Sequence, residues 1–218
     1  VNDPMIYRRS YSALTSKSWE TAGIDIEKVF KDMDALCDVT GLQLRLILVN
    51  GLRAREAIMF RPFEADRGDS LFITNGTKGG RTRSIPIESQ LQRDILDRCK
   101  VVANGNARGL VSPQPGRSVR VNLDRFYYLC KKVGITKKDL GVTPHGLRHT
   151  FAARKYEQQT GTKSPVDGGG EVNREADQLA RKDISELLGH SRTTITSSYL
   201  GTHQTISRAR VANMRTLL

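Results

Sequence analysis

The stretch TPHGLRHTFAARKY, residues Thr143–Tyr156, predicts a helix whose first turn binds an anion. Pro144 suits the first turn of a helix, where free backbone N–H groups favour a negative charge. His145 and Arg148 lie three positions apart, so they share one face of that helix. Helix terminus, imidazole and guanidinium together fit a single phosphate. For one helix alone a buried histidine beside a surface arginine is the commoner arrangement, so the site needs support from other segments.

Metal binding is the alternative for this helix, because His145 and His149 lie four positions apart. The residue after His145 is Gly146, whereas a zinc hydrolase has a glutamate base there. The sequence offers no acidic metal cluster either. We therefore predict a site that uses no metal and no other cofactor.

Two earlier segments carry groups that phosphoryl transfer needs. In NGLRAREA, Glu56 lies three positions after Arg53, which predicts either a pair that orients the arginine or a surface ion pair of little energetic value. Lys78 lies at the tip of a predicted hairpin in TKGGRTRSIPI. A lysine there can give a proton to a leaving oxygen, although most turn lysines are only solvated.

The segment LLGHSRTTITSSYLG adds a histidine and a tyrosine. Gly189 ends a helix and exposes His190, and Tyr199 follows nine positions later. A tyrosine normally has a pKa near 10, so it needs cationic neighbours or a base to act as a nucleophile. Arginines that neutralise a phosphodiester, histidines, a lysine acid and a tyrosine nucleophile together form a set suited to phosphoryl transfer.

The remaining pattern predicts a mainly α fold with one small antiparallel β-hairpin. The runs Leu71–Thr74 and Thr82–Ile87 favour strands, and Pro86 favours an edge strand. The polar residues 1–22 predict a linker or arm, and the glycine-rich residues 160–175 predict a flexible insert. Helices are predicted from Asp25, over residues 42–51 and 53–60, and over Ser89–Ala103, Arg120–Val133, Pro144–Gln159, Ala176–Leu188, Thr193–Leu200 and Ile206–Thr216.

Composition favours a polyanionic partner. The 218 residues carry a formal net charge of +12, which favours nucleic acid before an anionic membrane. Hydrophobic residues make up 38%, enough for a packed core. No stretch has the length of a membrane span, and no signal peptide is visible. The cysteines Cys37, Cys99 and Cys130 are scattered, which predicts neither a disulfide framework nor a zinc site.

The four segments together resemble the tyrosine recombinases, the phage integrase family. NGLRAREA, TKGGRTRSIPI, PHGLRHTFA and LLGHSRTTITSSYL stand in the order and spacing of that family, and the resemblance covers Ile24–Leu200. It implies a site-specific DNA strand transferase that passes through a 3′-phosphotyrosyl intermediate without metal or ATP. By position, the implied catalytic residues are Arg53, Lys78, His145, Arg148, His190 and Tyr199, with Glu56 in support.

The resemblance also assigns individual roles. Arg53 and Arg148 match the phosphate-binding arginines, and Lys78 matches the general acid for the 5′-hydroxyl leaving group. The two histidines of the set match residues that contact the scissile phosphate, and Tyr199 matches the nucleophile. His149 matches a frequent position without a catalytic role, so we predict that it packs or supports a neighbouring residue of the site.

Domain organisation and partners follow from the same resemblance. Residues 23–218 are expected to form the catalytic domain, without the family's N-terminal core-binding domain. The expected partner is double-stranded DNA, bound by a homotetramer or, as an isolated domain, by a monomer, in the cytoplasm at the nucleoid and not at a membrane. The residues expected to face DNA are Arg81, Arg83, Arg120 and Arg125.

Two alternative functions and the packing of the C-terminal segment stay open from the sequence. A type IB topoisomerase shares the same chemistry, and a DNA-binding module that has lost catalysis shares the charge. The segment ISRARVANMRTLL, from Ile206, is expected to pack as a helix on its own domain or on a neighbouring protomer.

Overall fold

The computed structural model describes residues 12–204 and 206–207. Within them the predicted mainly α fold with a small antiparallel sheet is confirmed. The elements, in chain order, are α1 (Ile26–Asn50), α2 (Ala54–Ile58), α3 (Pro62–Ala65), β1 (Ser70–Ile73), β2 (Arg83–Pro86), α4 (Gln90–Asn104), α5 (Val119–Lys132), α6 (Pro144–Thr160), α7 (Arg174–Leu187) and α8 (Ser197–Leu200). Short 3₁₀ turns cover Lys78–Gly80, Pro165–Asp167 and Thr193–Thr196.

Helix α1 is the central element and packs against α2, α4, α5 and α6. Asp25 caps its first turn by accepting a hydrogen bond from the Lys28 backbone N–H at 2.9 Å. The sequence predicts two helices here, and the backbone is indeed non-helical at Cys37 inside the span. The second half, LQLRLILVN, is almost wholly buried because it crosses the middle of the domain.

The hairpin is a two-stranded antiparallel sheet. Ser70 pairs with Pro86 and Ile73 pairs with Arg83, so the tip lies between Ile73 and Arg83. A Cβ on Gly76 would lie 2.7 Å from the Arg55 carbonyl oxygen, which shows that the tip is packed against α2.

Two clusters of buried apolar side chains meet at the head of α6. The larger surrounds α1 and includes Leu147 of α6. The smaller lies between α6, α7 and α8 and includes Phe151 and Tyr199. Arg148 lies between Leu147 and Phe151 in the chain, so it stands at the junction of the two clusters.

Two segments differ from the sequence-based expectation. Residues 1–22 are predicted as a linker, but within the described part Trp19 is fully buried and its Nε1 donates to the Thr143 carbonyl at 2.8 Å. Residues 160–175 are predicted as a flexible insert, yet Ser164 and Pro165 are buried and the 3₁₀ turn that follows contacts α8. Both segments carry apolar or hydrogen-bonding anchors that their overall composition masks. Of the predicted helix Ile206–Thr216, all but 206–207 lies outside the described residues.

Candidate active site

Arg148 is the centre of the site. Its side chain is 0% exposed, and its donors reach the carbonyl oxygens of Gly51 and Leu188. Its Nε also donates to the Tyr199 hydroxyl at 3.2 Å, and one terminal nitrogen lies 3.3 Å from His190 Nε2. Burial lowers the pKa of Arg148 to about 10, so the guanidinium remains charged at neutral pH. A buried cation held by neutral acceptors attracts an anion strongly.

Arg53 is oriented from behind by Glu56. The Glu56 carboxylate accepts from the Arg53 backbone N–H and from Arg53 Nη1, both at 2.7 Å. Arg53 Nη2 lies 3.5 Å from the Gly189 carbonyl, which brings this arginine to the segment that carries His190. Glu56 is 1% exposed, so this pair is not the weak surface ion pair that the spacing alone allows.

Arg83 corrects one sequence-based expectation. Instead of facing DNA, it is buried and makes a two-pronged ion pair with Glu56, at 2.9 and 2.7 Å. Its Nε also donates to the Leu187 carbonyl at 2.7 Å. Burial alone would raise the pKa of Glu56, but the hydrogen bonds and charges of Arg83 and then Arg53 lower it to about 2.

Three histidines surround the ring of Tyr199. The ring centroids of His145, His149 and His190 lie 5.9, 4.4 and 5.6 Å from the tyrosine centroid. Tyr199 itself is 7% exposed, so its ring is fixed by packing. Its hydroxyl is held by Arg148, the cationic neighbour that a tyrosine nucleophile needs.

These histidines are neutral at pH 7. Desolvation and the charges of Arg148 and Arg53 lower the pKa of His190 to about 3. Desolvation, then Arg148 and Lys17, lower the pKa of His145 to about 4. His145 is exposed at the surface, where a phosphate can reach it. The negative charge of a bound phosphate would offset the lowering of the His145 pKa by its cationic neighbours. The arrangement offers concentrated positive charge beside neutral imidazoles that can donate to or accept from an anion.

Comparison with known proteins agrees with this geometry. A family model described as integrase matches residues 9–154, about two thirds of the chain. The chain belongs to the integrase family. This integrase chain is 29% identical over 175 residues to tyrosine recombinase XerA of Pyrococcus horikoshii, covering 80% of the chain and 54% of the relative. It is 28% identical over 198 residues to tyrosine recombinase XerC of Myxococcus xanthus, covering 81% and 56%. The integrase chain thus spans about half the length of the curated relatives it matches.

Solved structures show the same fold. The crystal structure of XerA recombinase matches with a TM-score of 0.55 and 19% identity, covering 92% of this chain and 65% of that one. A lambda integrase (75–356) dimer bound to a COC′ core site matches with a TM-score of 0.57 and 20% identity, covering 86% and 60%. At these identities the likeness establishes the fold of the integrase domain.

The other predicted residues of this integrase lie at the surface. Lys78 and Arg81 are exposed at the hairpin tip, two and five residues beyond Gly76. Arg120 is exposed on α5 and lies 3.6 Å from Asp124, while Arg125 is half-buried and its Nε has no hydrogen-bond partner in the described structure. Five of the six predicted catalytic residues therefore lie together. The sixth, Lys78, lies on the adjacent hairpin.

Sequence reasoning missed two features of this integrase site. In β2 the buried residues Arg83 and Ile85 alternate with exposed ones. A strict period of two would therefore have placed Arg83 on the buried face together with Ile85. The other is Lys17, in the segment before α1, whose positive charge lowers the pKa of His145 and His149. The one signal for that approach is Gly146, since a glycine within a helix often marks close backbone contact.

Within the described ranges no group of three or more His, Cys, Asp or Glu side chains is arranged to hold a metal ion. No helix in those ranges combines the length and the apolar character that crossing a bilayer requires.

Proposed function

We propose that the chain is the catalytic part of a site-specific DNA recombinase that cuts and rejoins strands through a 3′-phosphotyrosyl intermediate at Tyr199. One observation carries the proposal: the buried Arg148 holds the Tyr199 hydroxyl at 3.2 Å while it lies 3.3 Å from His190. A cation, a hydrogen-bonding imidazole and a nucleophile therefore converge where one phosphate fits. The curated relatives named tyrosine recombinase support the same reaction.

The reaction assigns each group a role. The Tyr199 oxygen attacks phosphorus and forms the phosphotyrosyl bond as the bond to the 5′-oxygen breaks. A neutral imidazole beside Tyr199 takes the tyrosine proton, and Lys78 gives a proton to the leaving 5′-oxygen. Arg53 and Arg148 neutralise the charge that builds on the phosphate oxygens. Rejoining reverses these steps, since the broken bond's energy is kept in the new ester.

Lys78 reaches the phosphate only if the hairpin tip approaches it. The tip is exposed, and Gly76 anchors its base beside α2, next to Arg53 and Glu56. The proposal therefore requires the tip to close over the bound strand. The exposed Arg81 at the tip and Arg120 and Arg125 on α5 are assigned to contacts with the DNA backbone.

Double-stranded DNA is the proposed partner. The net charge of +12 supports strongly salt-dependent binding. The neighbour bound to its core site is a dimer of lambda integrase. We propose that the full-length protein works as a tetramer on two duplexes at the nucleoid, and that this domain alone binds DNA more weakly because it forms part of the DNA clamp.

Covalent trapping tests the proposal. Nicked duplexes tiled across the DNA that flanks this gene are incubated with the protein, and adducts that survive SDS are counted. Wild type should form an adduct, while Tyr199→Phe should bind the same duplex and form none. An adduct that persists in Tyr199→Phe would assign the wrong nucleophile. Binding without any wild-type adduct would favour a DNA-binding module, and relaxation of supercoiled DNA without strand exchange would favour a topoisomerase.

A further inference from the structure

The segment before α1 passes along the active site. The Ala13 backbone N–H donates to the Ser197 carbonyl at 2.8 Å, two residues from Tyr199. At its other end, the Trp19 backbone N–H donates to Thr150 Oγ1 at 2.9 Å on α6. Residues 13–19 therefore connect the nucleophile's helix to the helix that carries His145 and Arg148.

Gly146 fixes how closely this segment approaches α6. A Cβ at Gly146 would lie 2.6 Å from the Lys17 carbonyl oxygen and 2.7 Å from the Trp19 ring. These are impossible distances, so the Lys17 backbone lies directly on α6. Gly146 stands between His145 and Arg148 in the sequence, which brings Lys17 beside the site.

The charge of Lys17 is uncompensated. Its side chain is exposed, and within the described residues no carboxylate forms an ion pair with it. By contrast, Glu56 offsets Arg53 and Arg83. The Lys17 backbone lies against α6 at Gly146, and the positive charge of Lys17 lowers the pKa of both His145 and His149.

We propose that Lys17 is a further phosphate-binding residue, held at the active site by the docking of residues 13–19. The inference rests on the proposed function and extends its anion site to a segment that precedes α1. Lys17 approaches the phosphate from the side of His145, whereas Arg53 approaches from the side of Gly189. The docked segment makes this charge available only while Trp19 stays in place.

Binding of inorganic sulfate to the free protein tests the proposal. The ring resonances of His145 and His190 are followed by NMR during a sulfate titration of wild type, Lys17→Gln, Lys17→Met and Lys17→Arg. Loss of one exposed charge should weaken sulfate binding about two- to fivefold, and arginine should restore it. Lys31→Gln removes the same charge from the exposed surface of α1 and should leave the affinity unchanged.

A second measurement is the pKa of the histidines in the absence of sulfate. Removing a positive charge should raise the pKa of His145 in Lys17→Gln and Lys17→Met, and not in Lys31→Gln. Equal sulfate affinity in wild type and both neutral variants would overturn the role of Lys17 and leave the proposed function intact. If sulfate does not move His145 or His190 in wild type, the phosphate site itself, and with it the proposed function, would be contradicted.

Discussion

Replacing Glu56 with glutamine should strongly destabilise the domain. The buried carboxylate accepts four hydrogen bonds from Arg53 and Arg83, and a glutamine amide turns one of its two oxygens into a donor. The pKa of Glu56 falls from 4.5 to about 2 in the folded state. At about 1.36 kcal/mol for each pKa unit, its ionised form stabilises the fold by about 3 kcal/mol. Removing one member of a buried ion pair typically costs about 3–5 kcal/mol.

The stabilisation by ionised Glu56 should decrease as the pH falls. Because the folded pKa lies below the unfolded one, the contribution is complete above about pH 4.5 and is lost as the pH falls towards 2. By pH 3 it should have dropped to about two fifths of its value at pH 7. Urea unfolding of wild type and Glu56→Gln at several pH values from 7 to 3 measures the difference directly.

Glu64→Gln is the matched control. Arg61 and Glu64 have the same spacing and the same 2.7 Å contact as Arg53 and Glu56, but they are exposed. Their loss should change the free energy of unfolding by less than about 1 kcal/mol. The reasoning is refuted if the two variants are equally stable, or if the deficit of Glu56→Gln is the same at pH 3 as at pH 7.

Further predictions concern packing and titration. Gly146→Ala should lower the free energy of unfolding by about 1–3 kcal/mol, because the new Cβ would clash with the docked segment. The control Gly116→Ala places its Cβ where nothing lies within 4 Å, so it should change the free energy of unfolding by less than about 0.5 kcal/mol. Equal shifts in melting temperature for the two variants would contradict the docking. His190, with its pKa lowered to about 3, should stay neutral from pH 8 to pH 5 in an NMR titration, and a midpoint near 6.5 would refute the site's electrostatics. Burial raises the pKa of Cys99 and Cys130 to about 12, so thiol reagents at pH 8 should label them only on unfolding, and rapid labelling of the native protein would disprove their burial.

The sequence predicts the elements well because local signals agree with the tertiary packing. Ser89 and Asp25 cap helices where the pattern predicts a start, and the alternating runs form the hairpin. The predicted catalytic set rests on spacing and resemblance. Burial cannot be predicted from spacing, because the spacing is the same for the exposed pair Arg61–Glu64 and the buried pair Arg53–Glu56.

What the sequence misses are contacts between distant segments. Trp19 lies in a polar stretch typical of a linker, yet it anchors on Thr143 and Thr150, more than 120 positions away. Apart from Gly146, no local pattern indicates such a contact. The hydrogen bonds of Arg148 to three segments are equally invisible, since backbone carbonyls carry no sequence signature.

The way Arg148 is held makes the site indivisible. Gly51, Leu188 and Tyr199 supply its acceptors, so the pocket closes only when chain from both ends of this span is present. A ribosome-bound chain that has not yet reached α8, or one truncated just before it, lacks Tyr199 and leaves Arg148 with two of its three acceptors. Such a fragment should hold the Arg148 side chain less firmly. The hydrogen bonding of Arg148 is therefore complete only in a chain that extends through Tyr199.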